Sequence, residues 1–537
     1  MAITKLTSAL VSAYDKVYSQ DDDKTISVNP LVAELATWYE KLRTAMDYRA
    51  DEVLLRSAIE RILKRRLMMG GNGKSVAAPL IRELVWARYF PDSSIPESVV
   101  IKVEEEIDLY LQMEVEINNK QSLRSNDLKQ RINKGLVSEW ILQLLSCEIE
   151  DILEPGSKRE LMNNFMYQIF RNKITIADDD EETKDVQVFI AVRRAFANDD
   201  LAFLRFHLFK QFYGKVTRDN LEKIADHFPE GIKMISSQFK YPAKDKIYSY
   251  IKNQTVPFLI LDDVFRKNKG KAFSVVSNKE DLDKEVLSAC SDRYKMIRNK
   301  VNRAIVRSVI FILFTKAIFA FFIEGTFEKL FYGKIIWSSI ALNIASPVIL
   351  MVIVGLLIKT PSRENSFRIL RKIQYILFLG DQPTSKENPD LGKDLVVKKK
   401  PRKTDPIIWG AFVLLWLATF VLSFGFIVLV LSKLRINPLS QSIFMFFLAV
   451  VSFVSFRINK IAHMYQLKDK KETLSSLMFD FFFMPFISVG QRLTSAVSQL
   501  NIILFIFDFV IEAPFKGITA FFEQWLLFLR TQREKLD

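Results

Sequence analysis

The sequence predicts an all-α chain in two parts: a large soluble helical N-terminal domain, residues 1–277, followed by a polytopic α-helical transmembrane domain. Three observations predict it. The first ~300 residues carry charged, amphipathic patterns at helical spacing and no long apolar run. Ile335–Ile358 and Ile407–Ser432 are uncharged and each long enough to cross a ~30 Å hydrocarbon layer as a helix. Gly and Pro number only 17 each in 537 residues, which leaves few tight turns between long helices.

The elements follow in order. Leu31–Met69 is a long amphipathic run with Leu55, Ile59, Ile62 and Leu63 at helical spacing. Ser75–Phe90 continues as helix up to the breakers Pro91 and Pro96, and Pro96 suits the first turn of a helix reaching about Lys120. Asn126–Leu153 stops at Pro155-Gly156. Helical patterns recur over Lys158–Ile176, Glu182–Asn198, Asp200–Tyr213, Arg218–Phe239 and Ala243–Arg266. Ala272–Val276 is the best strand candidate, and it is short. From Lys279 to Ile323 there is neither Gly nor Pro, so one helix is expected to rise through a connector, residues 278–303, into the bilayer. A domain of four spans follows over residues 304–456: Ala304–Ile323, Ile335–Ile358, Ile407–Ser432 and Leu439–Phe456. A basic loop, 359–406, separates the second from the third. Residues 457–537 read as re-entrant or interfacial, because Leu474–Val489 and Leu500–Ile511 are short and carry Asp480, Pro485 and Asp508. Ile518–Arg530 has the one-sided pattern of a helix in the headgroup plane, with Trp525 as its interfacial anchor.

Charge sets the orientation. The formal net charge is +14, yet residues 1–303 hold about 48 Lys and Arg against about 46 Asp and Glu, so the excess lies in the membrane half. The 359–406 loop carries the run Lys398, Lys399, Lys400, Arg402 and Lys403, expected to contact anionic lipid on the N-terminal domain's side. Without an apolar stretch near Met1 to serve as a signal peptide, that side is expected to be the cytoplasm, and the membrane a plasma or inner one. No basic cluster in the N-terminal half marks a nucleic-acid footprint. Two cysteines, Cys147 and Cys290, and three histidines argue against a disulfide framework and a His-rich metal site.

Gly70-Gly71-Asn72-Gly73-Lys74-Ser75 has the look of a phosphate loop, but Met68 stands where its first Gly is required and a basic helix precedes it. A helix–helix connection with Ser75 as cap is the simpler reading. Lys316, mid-span, is expected to face a cavity or a carboxylate, for which Asp480 and Asp508 are candidates, unless the span is shifted and Lys316 snorkels or is paired only to hold the bundle together. Asp480, Asp508 and Glu512 are also a candidate acidic site for a cation or a paired-carboxylate catalyst, at no spacing a metal motif requires. No nucleophile elbow, HExxH or dinucleotide-binding glycine pattern is present, so no cofactor is implied and an enzyme is not favoured. The expected function is therefore a membrane-anchored scaffold or tether presenting a helical domain to a protein partner. The alternatives are a transporter or channel component using Lys316 with Asp480 or Asp508, and an interfacial lipid-modifying enzyme relying on the tail acids.

Overall fold

The computed structural model describes residues 4–17, 34, 54–123, 134–154, 157–268, 270–333, 337–378, 394–399, 406–434, 436–467, 474–498 and eight positions between 517 and 529. It is 83% helical. Its first helices are α1 (Lys5–Val17), α2 (Leu54–Met68), α3 (Gly73–Trp86), α4 (Glu97–Leu123), α5 (Lys134–Leu153) and α6 (Ser157–Arg171). After strand β1 (Ile174–Ile176) come α7 (Glu181–Phe196), α8 (Leu201–Tyr213), α9 (Leu221–Gln238), α10 (Lys244–Lys252), α11 (Val256–Lys267) and α12 (Ala272–Ser277). Helix α13 (Lys279–Phe319) runs through a π-helical turn (Ala320–Glu324) into α14 (Gly325–Tyr332). The chain continues with α15 (Trp337–Leu357), α16 (Arg363–Phe378), strand β2 (Leu395–Val397), α17 (Pro406–Lys433), α18 (Pro438–Ala462) and α19 (Leu474–Ser498).

Local chemistry sets many of these boundaries. Asp180 and Asp200 cap α7 and α8 by accepting the backbone N–H of Thr183 and Phe203. In the Gly-rich connection the N-cap is Asn72 rather than Ser75: Asn72 Oδ1 accepts from Ser75 N while Ser75 Oγ accepts from Asn72 N. Gly73 is required there, since a Cβ would lie 2.3 Å from the Glu104 carbonyl oxygen. Three sequence expectations need correction. Ala272–Val276 is helical, because its apolar residues Ala272, Val275 and Val276 bury at helical spacing instead of alternating. Ile174–Ile176, expected to end a helix, leaves it as a strand. The Ala243–Arg266 pattern is two helices, broken ahead of Pro257, which occupies the first turn of α11 where its missing N–H costs nothing.

Two cores form. One joins α2–α5 with α8 and α9 around Trp140, Tyr110 and Phe228. The other takes in α1, α6, α7 and α10–α13, and extends without interruption to Met351 of α15, Ile373 of α16 and Phe447, Val451 and Ile458 of α18. Loop 359–406 contributes to this second core. Within it α16 buries Ile369, Ile373 and Leu377, and β2 pairs in parallel with β1, Thr175 opposite Val396. Lys399, just past β2, extends this contact through Asp179, 3.0 Å from its Nζ, and through its backbone N–H to the Asp178 carboxylate.

Among the described residues, three helices are long and apolar enough to cross a membrane: the continuous Lys279–Phe331, α17 and α18. The remaining expected span, Ile335–Ile358, coincides with α15, which contains Pro347 and whose apolar stretch Ile344–Leu357 is shorter. Helix α19 lies along α18 at close range, since a Cβ on Gly490 would stand 2.2 Å from the Ala449 carbonyl oxygen. Phe486 of α19 also meets Phe424 of α17, ring centres 4.5 Å apart.

Candidate functional site

Lys316 is fully buried, near the end of α13. Its Nζ stands 2.8 Å from Glu324 Oε1, and both side chains are wholly shielded from solvent. Phe447 of α18 closes the other side, its ring centre 4.9 Å from the ammonium. The partner in the structure is Glu324, whereas the sequence points to Asp480 or Asp508. Asp480 lies on α19, while Asp508 and Glu512 fall outside the described residues.

The π-helical turn explains how a residue eight positions on reaches Lys316. On a regular helix of ~3.6 residues per turn it would lie about 80° round the axis. The turn Ala320–Glu324 takes up one extra residue, which brings Glu324 back towards the Lys316 face. One turn further, Glu328 is also buried and accepts a hydrogen bond of 3.0 Å from Asn437 Nδ2. Asn437 Oδ1 meanwhile caps α18 through Ser440 N at 2.7 Å. Two acids on one helix are thus tied to a lysine below and to the start of a neighbouring helix above. Chemically this is a desolvated ion pair and a charge-assisted hydrogen bond, each satisfied by protein. Glu324, Glu328 and Asn437 are not among the expected site residues. Glu324 lies one residue past the expected end of the first span, although no Gly or Pro separates it from Lys316.

Lys398 is exposed and Lys399 is held by Asp179, while Lys400, Arg402 and Lys403 lie outside the described residues. Trp525 is helical and half exposed, near Phe521, Phe522 and Phe528, which are exposed as well.

A cleft of about 440 Å³ opens where the two cores meet. Buried Arg193 lies in its wall, gripped by Glu160 at 2.8 and 2.9 Å and by Asp199 at 2.6 Å. His207 Nε2 abuts the same guanidinium. Burial, then the charges of Arg193 and Lys210, push the His207 imidazole well below its ordinary pKa, so it is neutral at pH 7. Arg193 is already neutralised by its own acids, which makes this a structural network. No group of three or more His, Cys, Asp or Glu able to hold a metal ion occurs among the described residues. Compared with family models, curated proteins and solved structures, the chain matches none.

Proposed function

We propose that the chain is a multi-pass membrane protein acting as a tether or scaffold, its helical N-terminal part presented to a protein partner from the cytoplasmic face. The observation that carries the reading is the unbroken Lys279–Phe331 helix, 53 residues or ~80 Å long. Its lower half buries Leu282, Val286, Cys290 and Ile297 in the N-terminal core. Its upper half exposes Val306, Ile310, Phe314 and Phe322, a surface suited to lipid. A helix anchored this way couples position and force between the two parts, where a flexible linker would decouple them. On this reading α15 spans the bilayer as a fourth crossing. Lys398, Lys400, Arg402 and Lys403 meet anionic headgroups and Trp525 sits at the interface.

The tether reading is tested by purifying the full chain from its native membrane in mild detergent and identifying co-purifying proteins. A stable stoichiometric partner is expected, and its absence across several detergents counts against the proposal. Topology is read separately, by labelling single cysteines introduced near positions 330, 380, 436, 495 and 535. Cys147 and Cys290 are both buried, so the background is low. A second reading, a transporter or channel component, is favoured by the buried Lys316–Glu324 pair beside a π-helical turn, a feature frequent at functional sites. Ion flux in proteoliposomes that is unchanged by Lys316→Ala removes it.

A further inference from the structure

We infer a phospholipid-binding cleft at the membrane end remote from the N-terminal part, an inference that rests on the membrane reading above. The cleft, about 300 Å³, lies between the π-helical turn with α14 and the start of α15. Ala320, Phe321 and Ile340 form its apolar side, and Thr326, Lys329 and Trp337 its polar rim. The Phe321 and Trp337 rings meet edge to face at 6.4 Å, closing one end. Gly325 keeps the floor open where a larger residue would project towards Ile340.

The chemistry of the rim selects the occupant. Lys329 is exposed and makes no ion pair among the described residues, and neither the Thr326 hydroxyl nor the Trp337 indole N–H has a hydrogen-bond partner among them. A lysine, a threonine and a tryptophan whose side-chain donors are unused among the described residues therefore line one concavity. The acids nearest in sequence are engaged elsewhere: Glu324 holds Lys316 and Glu328 accepts from Asn437. Around the rim the surface is apolar, with Phe321, Phe322, Leu330 and Phe331 each more than half exposed. A ligand matching both features has a phosphate for Lys329 and Thr326 and an acyl chain for Phe321 and Ile340. That is one glycerophospholipid, its glycerol ester level with the Trp337 indole. The cleft accommodates the phosphoglycerol end and leaves most of the chain against the exposed phenylalanines.

The test uses the full chain in detergent, delipidated, titrated with dioleoylphosphatidylglycerol, and followed by native mass spectrometry. One retained lipid per chain is expected. Lys329→Ala should weaken retention about fivefold, the change equivalent to about 1 kcal/mol for one lysine at a lipid surface. Lys329→Arg should restore it. Lys433→Ala, an exposed cation outside the cleft, should leave it unaltered. Equal retention by Lys329→Ala and the parent overturns the inference, as does equal retention of dioleoylglycerol, which lacks the phosphate. Release of the lipid by excess inorganic phosphate also overturns it, since the site would then be a simple anion site. Failure of the membrane reading shows differently, as recovery of the chain in the supernatant after alkaline washing of membranes.

Discussion

Breaking the Lys316–Glu324 pair from one side is far more damaging than removing it from both. At 2.8 Å and an effective dielectric near 20, two unit charges attract by about 6 kcal/mol. Desolvating each ion costs several kcal/mol, so the intact pair contributes little net stability. Glu324→Met leaves a buried ammonium facing only a thioether and the Phe447 ring, and Lys316→Met leaves a buried carboxylate. Each is expected to cost about 3–5 kcal/mol, the range for an uncompensated buried charge. The double variant removes both charges and keeps the volume, so it should fall within about 1 kcal/mol of the parent. The assay is denaturant unfolding in detergent for the parent, both single variants and the double, analysed as a cycle. Single costs below about 1 kcal/mol that simply add would refute the reasoning, because the two groups would then be solvated and independent.

His207 is held neutral, so its contribution to stability is present above its unfolded pKa near 6.5 and is lost as pH falls towards its depressed folded value. Between those two values the loss should approach about 1.4 kcal/mol per pH unit, and His207→Gln should remove this part of the slope in unfolding midpoints between pH 7.5 and 5.5. Thr175→Cys with Val396→Cys should form a disulfide on mild oxidation, since the two are opposed in the β1–β2 pair with both side chains outward. Shifting the second cysteine to Val397 should abolish it, and cross-linking in both registers speaks against the strand pairing. Gly490→Leu should force α19 from α18 and lower stability by about 1–3 kcal/mol or more, whereas Gly410→Leu, on an open face, should be neutral in the same melts.

The helical class is written in the sequence wherever one face must be buried. Val103, Ile107, Tyr110, Met113 and Ile117 recur at three- and four-residue intervals along α4, and all are buried. Where the determining interaction is distant, the local pattern misleads. Ile174–Ile176 has no strand signal of its own, and its partner Leu395–Val397 comes over 200 residues later, inside a loop whose lysines dominate its character. The partner of Lys316 was hidden for a different reason. Apolar periodicity assumes 3.6 residues per turn, and the π-helical turn at Ala320–Glu324 shifts the phase by one residue, so Glu324 falls off the face that counting assigns it.

The second core changes what residue 304 means physically. Composition switches there from amphipathic to apolar, yet Ile297 and Val301 before it and Ile312 after it share one cluster with Ile373 and Val451. Asn365 ties the same region together: it donates to the Tyr294 hydroxyl on α13 at 2.7 Å and to the Tyr465 carbonyl after α18 at 2.8 Å, and accepts from Leu467 N. Arg293 adds an ion pair to Asp263 of α11 and a face contact with the Tyr465 ring. Residues from α11, α16 and the segment after α18 thus converge on α13 where it leaves the N-terminal core. A hinge needs few packed contacts and free backbone, and this level of the helix has neither. Motion of the N-terminal part should therefore be carried into α13, α16 and α18 as one unit. Any signal passing along the chain would tilt or shift that unit, with the flexible degree of freedom displaced to the sparsely packed α17.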